Sequence, residues 1–515
     1  MKKVYLFVLL FGISIVSVFS QNIFDMSGLN TKSISGTARY MGMAGSFGAL
    51  GGDVSSIWDN PASLGIFRSN ELNFSLNIQP TATTSLFKNN KSSENQTKTY
   101  VNNFTWVFNL PSGREMGYLS SNFSFGFHRL NSFNRIYNVG GQISRSLSDL
   151  IVNMTNGLTA GDLTFTDDYD PYSNADIGFL SVLGYQGYLI DPANPDDPDD
   201  IYWKSAMGGG TNKYNFKAQE LGYIDSYKIA YSGNVNDAFY FGLGVSLENY
   251  YKERKTMYNE NMSVQSFDLY NETFISGVGV NFDLGLIWRT TDYLRLGASI
   301  KTPTFYSMKV NQISNLHTIS EADRSSIKQY NAESPEFQTL YKYHSPMEMQ
   351  FSAGLIFGSR GVLNVDYGLS IGSMQKFIGY NDNVFSDSEF AIENKGVKDF
   401  ARISTIFKIG GELNVSRRIR LRAGFAYIAS PINRNATRDF PINTTRTDME
   451  YTIDCDQYLG SCGIGFVFNN VFLDFAYIYN RHNQTFMPFE MYSNTESSLL
   501  ATDRHNIVAT LTWKY

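Results

Sequence analysis

Hydrophobic and polar residues alternate at every second position along most of this chain. In the segment from Glu71 to Gln79 the even positions are apolar and the odd positions are polar, and 239–248, 363–370 and 506–515 alternate in the same way. Successive side chains of a β-strand point to opposite faces of the sheet. Each such segment therefore predicts a strand with one apolar and one polar face.

Segment length and loop length decide what kind of sheet these strands form. Short turns and long loops alternate between the segments, which is the pattern of an outer-membrane barrel with an even number of strands. Because lipid cannot satisfy backbone hydrogen bonds, such a sheet must close on itself. The sequence thus predicts an all-β, 14-stranded antiparallel transmembrane β-barrel over 70–515, with strands near 70–87, 99–110, 118–140, 222–233, 238–258, 270–289, 293–313, 345–357, 361–375, 400–414, 419–429, 457–468, 471–481 and 504–515.

The largest connection, 141–221, begins with apolar residues at helical spacing. We expect an amphipathic helix over the barrel mouth, which either captures a hydrophobic ligand or packs on other loops. The acidic stretch 191–200 is expected to be a solvated surface loop, since its prolines prevent a regular spacing of calcium ligands. The apolar residues of the expected helix are Ile143, Leu147, Leu150, Ile151, Met154 and Leu158.

The first 20 residues predict a secretory signal peptide, with Lys2 and Lys3 before a short apolar run. The mature chain is expected to begin near Gln21 and to be exported to a Gram-negative outer membrane. Losing the two lysines shifts the formal net charge of −6 to about −8, which disfavours a nucleic-acid partner. After the leader, no uncharged apolar run approaches the roughly 20 residues that a membrane helix needs.

The region 21–69 shows neither strand alternation nor the polarity of a free linker. Six glycines lie between Gly36 and Gly52, among methionines and aromatic residues. Asp53 predicts the N-cap of one helical turn that ends before Asn60-Pro61. This composition favours a hatch packed inside the barrel lumen, and the alternative is a disordered periplasmic arm.

Several inward-facing positions carry charged or apolar side chains. Charged residues such as Arg420 and Arg422 are expected to pair across the interior, or one arginine binds a substrate carboxylate. Apolar residues such as Phe472 and Ile478 fit a lumen that holds a hydrophobic ligand, or one packed by its own hatch.

The two cysteines, Cys455 and Cys462, permit a disulfide if the chain turns back between them. The alternative is two buried thiols.

No catalytic pattern is found. The five histidines are scattered, and neither a Gly-x-Ser-x-Gly elbow nor a His-Glu-x-x-His motif is present, so we expect no enzyme, metal site or cofactor. A haem or other TonB-dependent receptor would need a larger plug and about 22 strands. A surface adhesin or scaffold barrel would have a sealed lumen, whereas a transporter would have a continuous apolar path.

The stretch 51–62, GGDVSSIWDNPA, resembles the hatch signature of the FadL/TodX family of outer-membrane transporters for long-chain fatty acids and other hydrophobic compounds. That signature is a Gly-Asp stretch followed closely by Asn-Pro-Ala. The segments 277–285 and 294–303 resemble the central hairpin of the family, and 421–427 and 473–477 resemble its later strands. The resemblance therefore covers essentially the whole mature chain in order.

The resemblance implies passive uptake of a hydrophobic small molecule. The ligand would be captured at the loops, pass to a pocket above the hatch, and leave sideways through a gap at an inward kink of the third strand. Gly126 is the candidate for that kink. The other implied partners are outer-membrane lipid, lipopolysaccharide and an assembly machinery that reads the C-terminal strand, and the chain is expected to be a monomer. The hatch and gating residues implied are Asp53, Trp58, Asn60, Pro61 and Ala62.

Overall fold

The structure is a computed structural model. The predicted signal peptide 1–20 lies outside the residues that it describes. Within the described part of the chain, no helix is long and apolar enough to cross a membrane. The described residues are 23–30, 33–207, 212–262, 265–323, 326–381, 390–438, 440–490 and 496–515.

Fourteen antiparallel strands form one sheet in the described residues, and the predicted fold class is confirmed. The first strand pairs with the last, with Glu71 opposite Lys514, so the barrel is closed. The strands are β1 (Glu71–Phe87), β2 (Asn90–Pro111), β3 (Tyr118–Ser132 and Arg135–Ile143), β4 (Asn212–Val235), β5 (Phe239–Asn261), β6 (Gln265–Arg289), β7 (Leu294–Lys301 and Phe305–Asp323), β8 (Ser326–Glu333, Phe337–His344 and Met347–Ile356), β9 (Gly361–Ile371 and Lys376–Gly379), β10 (Ile403–Asn414), β11 (Ile419–Ile428), β12 (Tyr451–Phe468), β13 (Val471–Met487) and β14 (Ser498–Lys514).

The alternation of the sequence corresponds to the two faces of the wall. In β1, Leu76 and Ile78 are exposed on the outside, whereas Asn77 is buried inside. Apolar side chains on the outer face are what a hydrocarbon environment requires.

At the end of β4 next to the long loop, apolar side chains point into the barrel and polar ones point outward, the reverse of β1. Tyr214 and Phe216 are buried inside the barrel, and Lys213 and Lys217 are exposed outside. An outer face of lysines indicates water, so this end of the barrel extends beyond the hydrocarbon layer.

Strands extend into two regions that the sequence predicted as loops. The polar stretch 88–98 is a two-residue turn at Lys88 and Asn89 followed by the first half of β2, and Lys88 has a φ of +51°. The expected loop 141–221 ends earlier, because β4 already begins at Asn212. Above the hydrocarbon layer a strand needs no apolar outer face, so the two-residue hydrophobic period is lost there.

The long loops pack together over one end of the barrel. The predicted helix is present as Leu147–Thr155, with Ser146 as its N-cap and Asp149 completing a capping box. It packs with a second helix, Phe179–Gln186, and with the inward aromatic residues of β3 and β4. In the acidic stretch, the Asp200 carboxylate accepts N–H bonds from Asn194 and Tyr202.

Candidate functional site

Residues 33–69, which we call the N-terminal segment, lie inside the barrel. The segment touches strands on opposite sides of the wall: Asn102 Nδ2 of β2 donates to the Gly36 carbonyl, and Phe47 N donates to Asp366 of β9, 3.1 Å away. Trp58 Nε1 donates to Ser226 of β4 at 3.0 Å. Because these contacts come from strands on different sides of the sheet, the segment crosses the lumen.

Two short 3-10 helices carry the residues of the hatch signature. Asp53 caps Val54–Trp58 by accepting from Ser55 N, 2.9 Å away. Asn60 caps Pro61–Ile66 through Ala62 N, and its amide nitrogen donates to the carbonyls of Gly48 (2.8 Å) and of Leu286 in β6 (3.2 Å). Asn60 therefore links the turn, the rest of the segment and the wall.

Paired glycines in the wall make room for this backbone. Gly242 of β5 lies opposite Gly285 of β6. A Cβ atom at Gly242 would overlap the carbonyl carbon of Pro61, and one at Gly285 would overlap the Asn60 side chain. A second pair, Gly410 and Gly424, receives Met43 and Ala44 in the same way. The wall and the segment are complementary at backbone level.

Buried ion pairs hold the segment to the wall. Arg39 Nε lies 2.9 Å from Glu412, which also binds Arg422 at 2.6 Å. Asp59 accepts from Lys408 Nζ at 2.7 Å. Removing one partner of such a pair typically costs about 3–5 kcal/mol, because the other charge remains buried.

The residues before the segment occupy an apolar chamber in the middle of the barrel. Ile23, Phe24 and Met26 are buried there, and the Phe24 ring lies 4.6 Å from the Tyr451 ring. Side chains from β3 to β9 and from β12 line this chamber. Its large aromatic residues are Phe133, Tyr250, Tyr306, Tyr341, Tyr343, Phe377, Phe390 and Tyr451.

One side of the chamber is polar. Arg446, from the loop between β11 and β12, donates to the Asp25 carboxylate at 2.5 Å. Arg438 is also buried there, and burial together with the Arg446 cation lowers its pKa to about 10. In the described structure, the hydroxyls of Tyr250 and Tyr341 have no hydrogen-bond partner. Arg446 also donates to the Asp448 carboxylate, at 2.7 and 2.5 Å, so its charge is shared between two carboxylates. The chamber thus combines an apolar body with an end where buried arginines hold carboxylates, which fits an amphipathic acid.

The wall is interrupted beside this chamber. β3 pairs with β2 only as far as His128, opposite Asn103. Within the described range 90–143, residues 90–102 of β2 pair only with β1, and we call the unpaired stretch the gap.

Beyond the gap, β3 bends inward and lies against the inner side of β1. Ser85 Oγ, on the inner face of β1, donates to the Asn138 carbonyl at 2.5 Å. The strand is interrupted at Phe133 and Asn134, and Phe133 N donates to Gly222 of β4, which has a φ of +141°. Phe133 also belongs to the chamber, so the bend and the chamber share a side chain.

The predicted kink residue, Gly126, lies below the bend. It is paired in regular register with Thr105 on one side and Lys228 on the other. A Cβ atom there would lie 2.7 Å from Trp58 Cη2. The absence of a side chain at Gly126 therefore makes room for Trp58, while the strand bends at Phe133 and Asn134.

A cavity of about 100 Å³ extends between the N-terminal segment and the wall. It is lined by Trp58 and Asp59 of the segment and by His128, Leu130 and Asn131 of β3. The His128 ring meets Trp58 edge-on, with 5.0 Å between ring centroids. The cavity thus reaches the wall where pairing between β2 and β3 ends.

The candidate ligand residues from the sequence do not form one site. Ile143 is the last residue of β3, and Leu147, Ile151 and Met154 are buried in the core of the long loops with Leu150 half-buried at its edge. Those five residues lie at the long-loop end.

The other four candidates lie lower in the barrel. Arg422 is bound to Glu412 and, at 2.6 Å, to Asp474, while Arg420 lies over the Phe472 ring at 5.5 Å. Ile478 packs against the N-terminal segment.

The proposed disulfide is wrong. Cys455 and Cys462 are free thiols within the single strand β12. A strand rises about 3.3 Å per residue, so seven positions separate them by roughly 23 Å. The expected alternative fails too, since Cys462 is exposed on the outer face and Cys455 is half-buried. Among the described residues, no group of three or more His, Cys, Asp or Glu side chains could hold a metal ion.

No protein-family model matches this sequence, and no curated protein matches it. Several solved structures, however, match its fold. The toluene transporter TodX of P. putida is 12% identical with a TM-score of 0.51, and the match covers 94% of this chain and 99% of that one. A FadL homologue of Pseudomonas aeruginosa is 13% identical with a TM-score of 0.53, over 94% and 99% of the two chains.

At these identities the comparison establishes the fold. The match runs along nearly the full length of both chains, as the order of the sequence motifs predicted. This chain is a 14-stranded β-barrel with the fold of the FadL/TodX channels.

Proposed function

We propose that this protein is an outer-membrane channel for the passive uptake of long-chain fatty acids or similar hydrophobic small molecules. The observation that carries the proposal is the apolar chamber beside the gap, filled by Ile23, Phe24 and Met26. An apolar cavity with a few convergent polar groups is the usual form of a small-molecule site. In this proposal residues 23–30 occupy the place of the ligand.

The route leads from the long loops to the chamber and then sideways through the gap. The N-terminal segment acts as the hatch that blocks straight passage to the periplasm. Because β2 and β3 are unpaired above His128, moving side chains can widen the gap without breaking a strand ladder. Lateral exit returns a hydrophobic ligand to lipid and avoids its transfer into water.

The polar side of the chamber favours a carboxylic acid among the hydrophobic ligands. Asp25 places a carboxylate on Arg446 between apolar neighbours. A fatty acid would present the same group on an acyl chain. Arg446 would therefore exchange Asp25 for the ligand carboxylate, with Arg438 and the two tyrosine hydroxyls nearby.

Replacing Arg446 with Met should separate acids from neutral ligands. We expect expression of the wild-type protein to raise cellular uptake of labelled hexadecanoate and of hexadecanol. The Arg446→Met variant should take up hexadecanoate about tenfold more slowly, since a hydrogen bond to a charged group contributes about 1.5–3 kcal/mol. Hexadecanol uptake should not fall.

Arg434 provides the matched control. It lies in the same loop, is exposed and pairs only weakly, with Asp456 at 3.4 Å. The Arg434→Met variant should keep wild-type rates for both compounds. If expression raises uptake of neither compound, the transport function is wrong; if both fall equally in Arg446→Met, the carboxylate preference is wrong.

A further inference from the structure

The outer wall carries a groove of small side chains on the side away from the gap. Gly411 of β10, Ala423 of β11 and Cys462 of β12 lie in register on neighbouring strands. All three positions are on the outer face, between bulkier residues such as Leu421 and Phe475. The resulting depression has a volume of about 1180 Å³.

The lining of the groove is apolar apart from its lower end. Leu363, Leu413 and Tyr477 border it, and all three lie on the outer face of the wall. At the short-turn end it reaches Arg360, which is part of the lining. An apolar channel ending at a cation fits one amphipathic anion.

Two further arginines lie next to Arg360. Arg417 and Arg418 form the turn between β10 and β11, whose Leu413 and Leu421 line the groove. That turn is joined to the turn of Arg360, because Asn414 N donates to the Arg360 carbonyl at 2.8 Å. Among the described residues, none of the three arginine side chains forms an ion pair or a hydrogen bond.

Other short turns of the barrel are electrically balanced. Asp237 pairs with Arg68 at 2.5 Å, and Asp292 pairs with Arg289 at 2.6 Å. The turns 358–360 and 415–418 contain arginines and no acidic residue. The excess of positive charge is therefore local to the groove.

We propose that this groove binds an anionic glycerophospholipid of the membrane leaflet at the short-turn end. An acyl chain lies over Gly411, Ala423 and Cys462, and the phosphate faces Arg360, Arg417 and Arg418. The binding is independent of the chamber and of uptake. The small side chains accommodate the chain, and the arginines select the charge of the headgroup.

Native mass spectrometry of the full mature chain, titrated with palmitoyl-oleoyl phosphatidylglycerol, tests the proposal. We expect one tightly bound lipid, and weaker binding of the zwitterionic phosphatidylethanolamine with the same chains. Ala423→Phe should weaken the binding of the first phosphatidylglycerol molecule about tenfold. That loss corresponds to roughly two methylene groups of the acyl chain kept out of the groove. Replacing all three arginines with Gln should weaken the binding of phosphatidylglycerol about a hundredfold, since each arginine near an anionic headgroup raises the affinity about fivefold.

Two control variants should bind within about twofold of wild type. Ala298→Phe changes an outward alanine on β7, and Arg114→Gln changes an arginine in a turn that also contains Glu115. Heat-dependent migration on gels checks that every variant forms a barrel. The proposal would be overturned if both lipids bound equally well, or if all variants bound phosphatidylglycerol equally well. It would also be overturned if the groove held a second copy of the protein, seen as a dimer that Ala423→Phe disrupts, or a fatty acid in place of the phospholipid.

Discussion

Valine at both Gly242 and Gly285 should release the Asn-Pro-Ala turn from the wall and open the lumen. Side chains there would overlap the Pro61 backbone and the Asn60 side chain. Overpacking of this kind costs about 1–3 kcal/mol of stability at each site. The Pro61 backbone cannot move aside as easily as a flexible side chain could. We expect the double variant to assemble as a barrel but to carry much larger ion currents than wild type in planar bilayers.

Gly460 is the matched control for this experiment. It lies on the outer face of β12, and an added Cβ atom meets nothing within 4 Å. The Gly460→Val variant should keep the wild-type current. Wild-type current in the double variant would show that the turn does not close the lumen.

Replacing Phe24 with Ala should make hexadecanoate bind more tightly. Removing a buried Phe side chain costs about 3–5 kcal/mol, and here that cost falls on the occupancy of the chamber by residues 23–30. A ligand that must displace those residues gains affinity when they are held less firmly. Each 1.4 kcal/mol of that gain lowers the dissociation constant tenfold. We expect the dissociation constant for labelled hexadecanoate to fall at least about tenfold in equilibrium dialysis.

Phe165, which is exposed in the long loop, is the control position. The Phe165→Ala variant should bind hexadecanoate as wild type does. Weaker binding by Phe24→Ala would mean that Phe24 is part of the ligand site and not its occupant.

The sequence predicted the barrel because, within the hydrocarbon layer, every wall residue faces either lipid or lumen. That requirement gives β1, and β5 from Phe239 to Tyr250, their two-residue period. The period is absent in 88–98, where β2 has left the hydrocarbon layer and both faces meet water. The prediction of a loop at 88–98 was therefore wrong about where the strand leaves the membrane, whereas the barrel architecture was predicted correctly.

The site was only partly accessible from the sequence. Asn60-Pro61-Ala62 could be found because one local turn needs those residue types in order. Asp25 and Arg446 could not be paired, since they are 421 positions apart and meet only when the barrel closes.

The bend was misplaced for a related reason. It depends on the loss of pairing with β2 and on Gly222 of the neighbouring strand, which the sequence of β3 does not contain.

A structure determined with bound hexadecanoate tests the ligand site most directly. We expect acyl-chain density between Tyr250, Tyr341 and Phe377, the carboxylate on Arg446, and Phe24 moved out of the chamber. Acyl-chain density elsewhere, with Phe24 still against Tyr451 and Asp25 still on Arg446, would contradict the proposal that the N-terminal residues hold the place of the transported molecule.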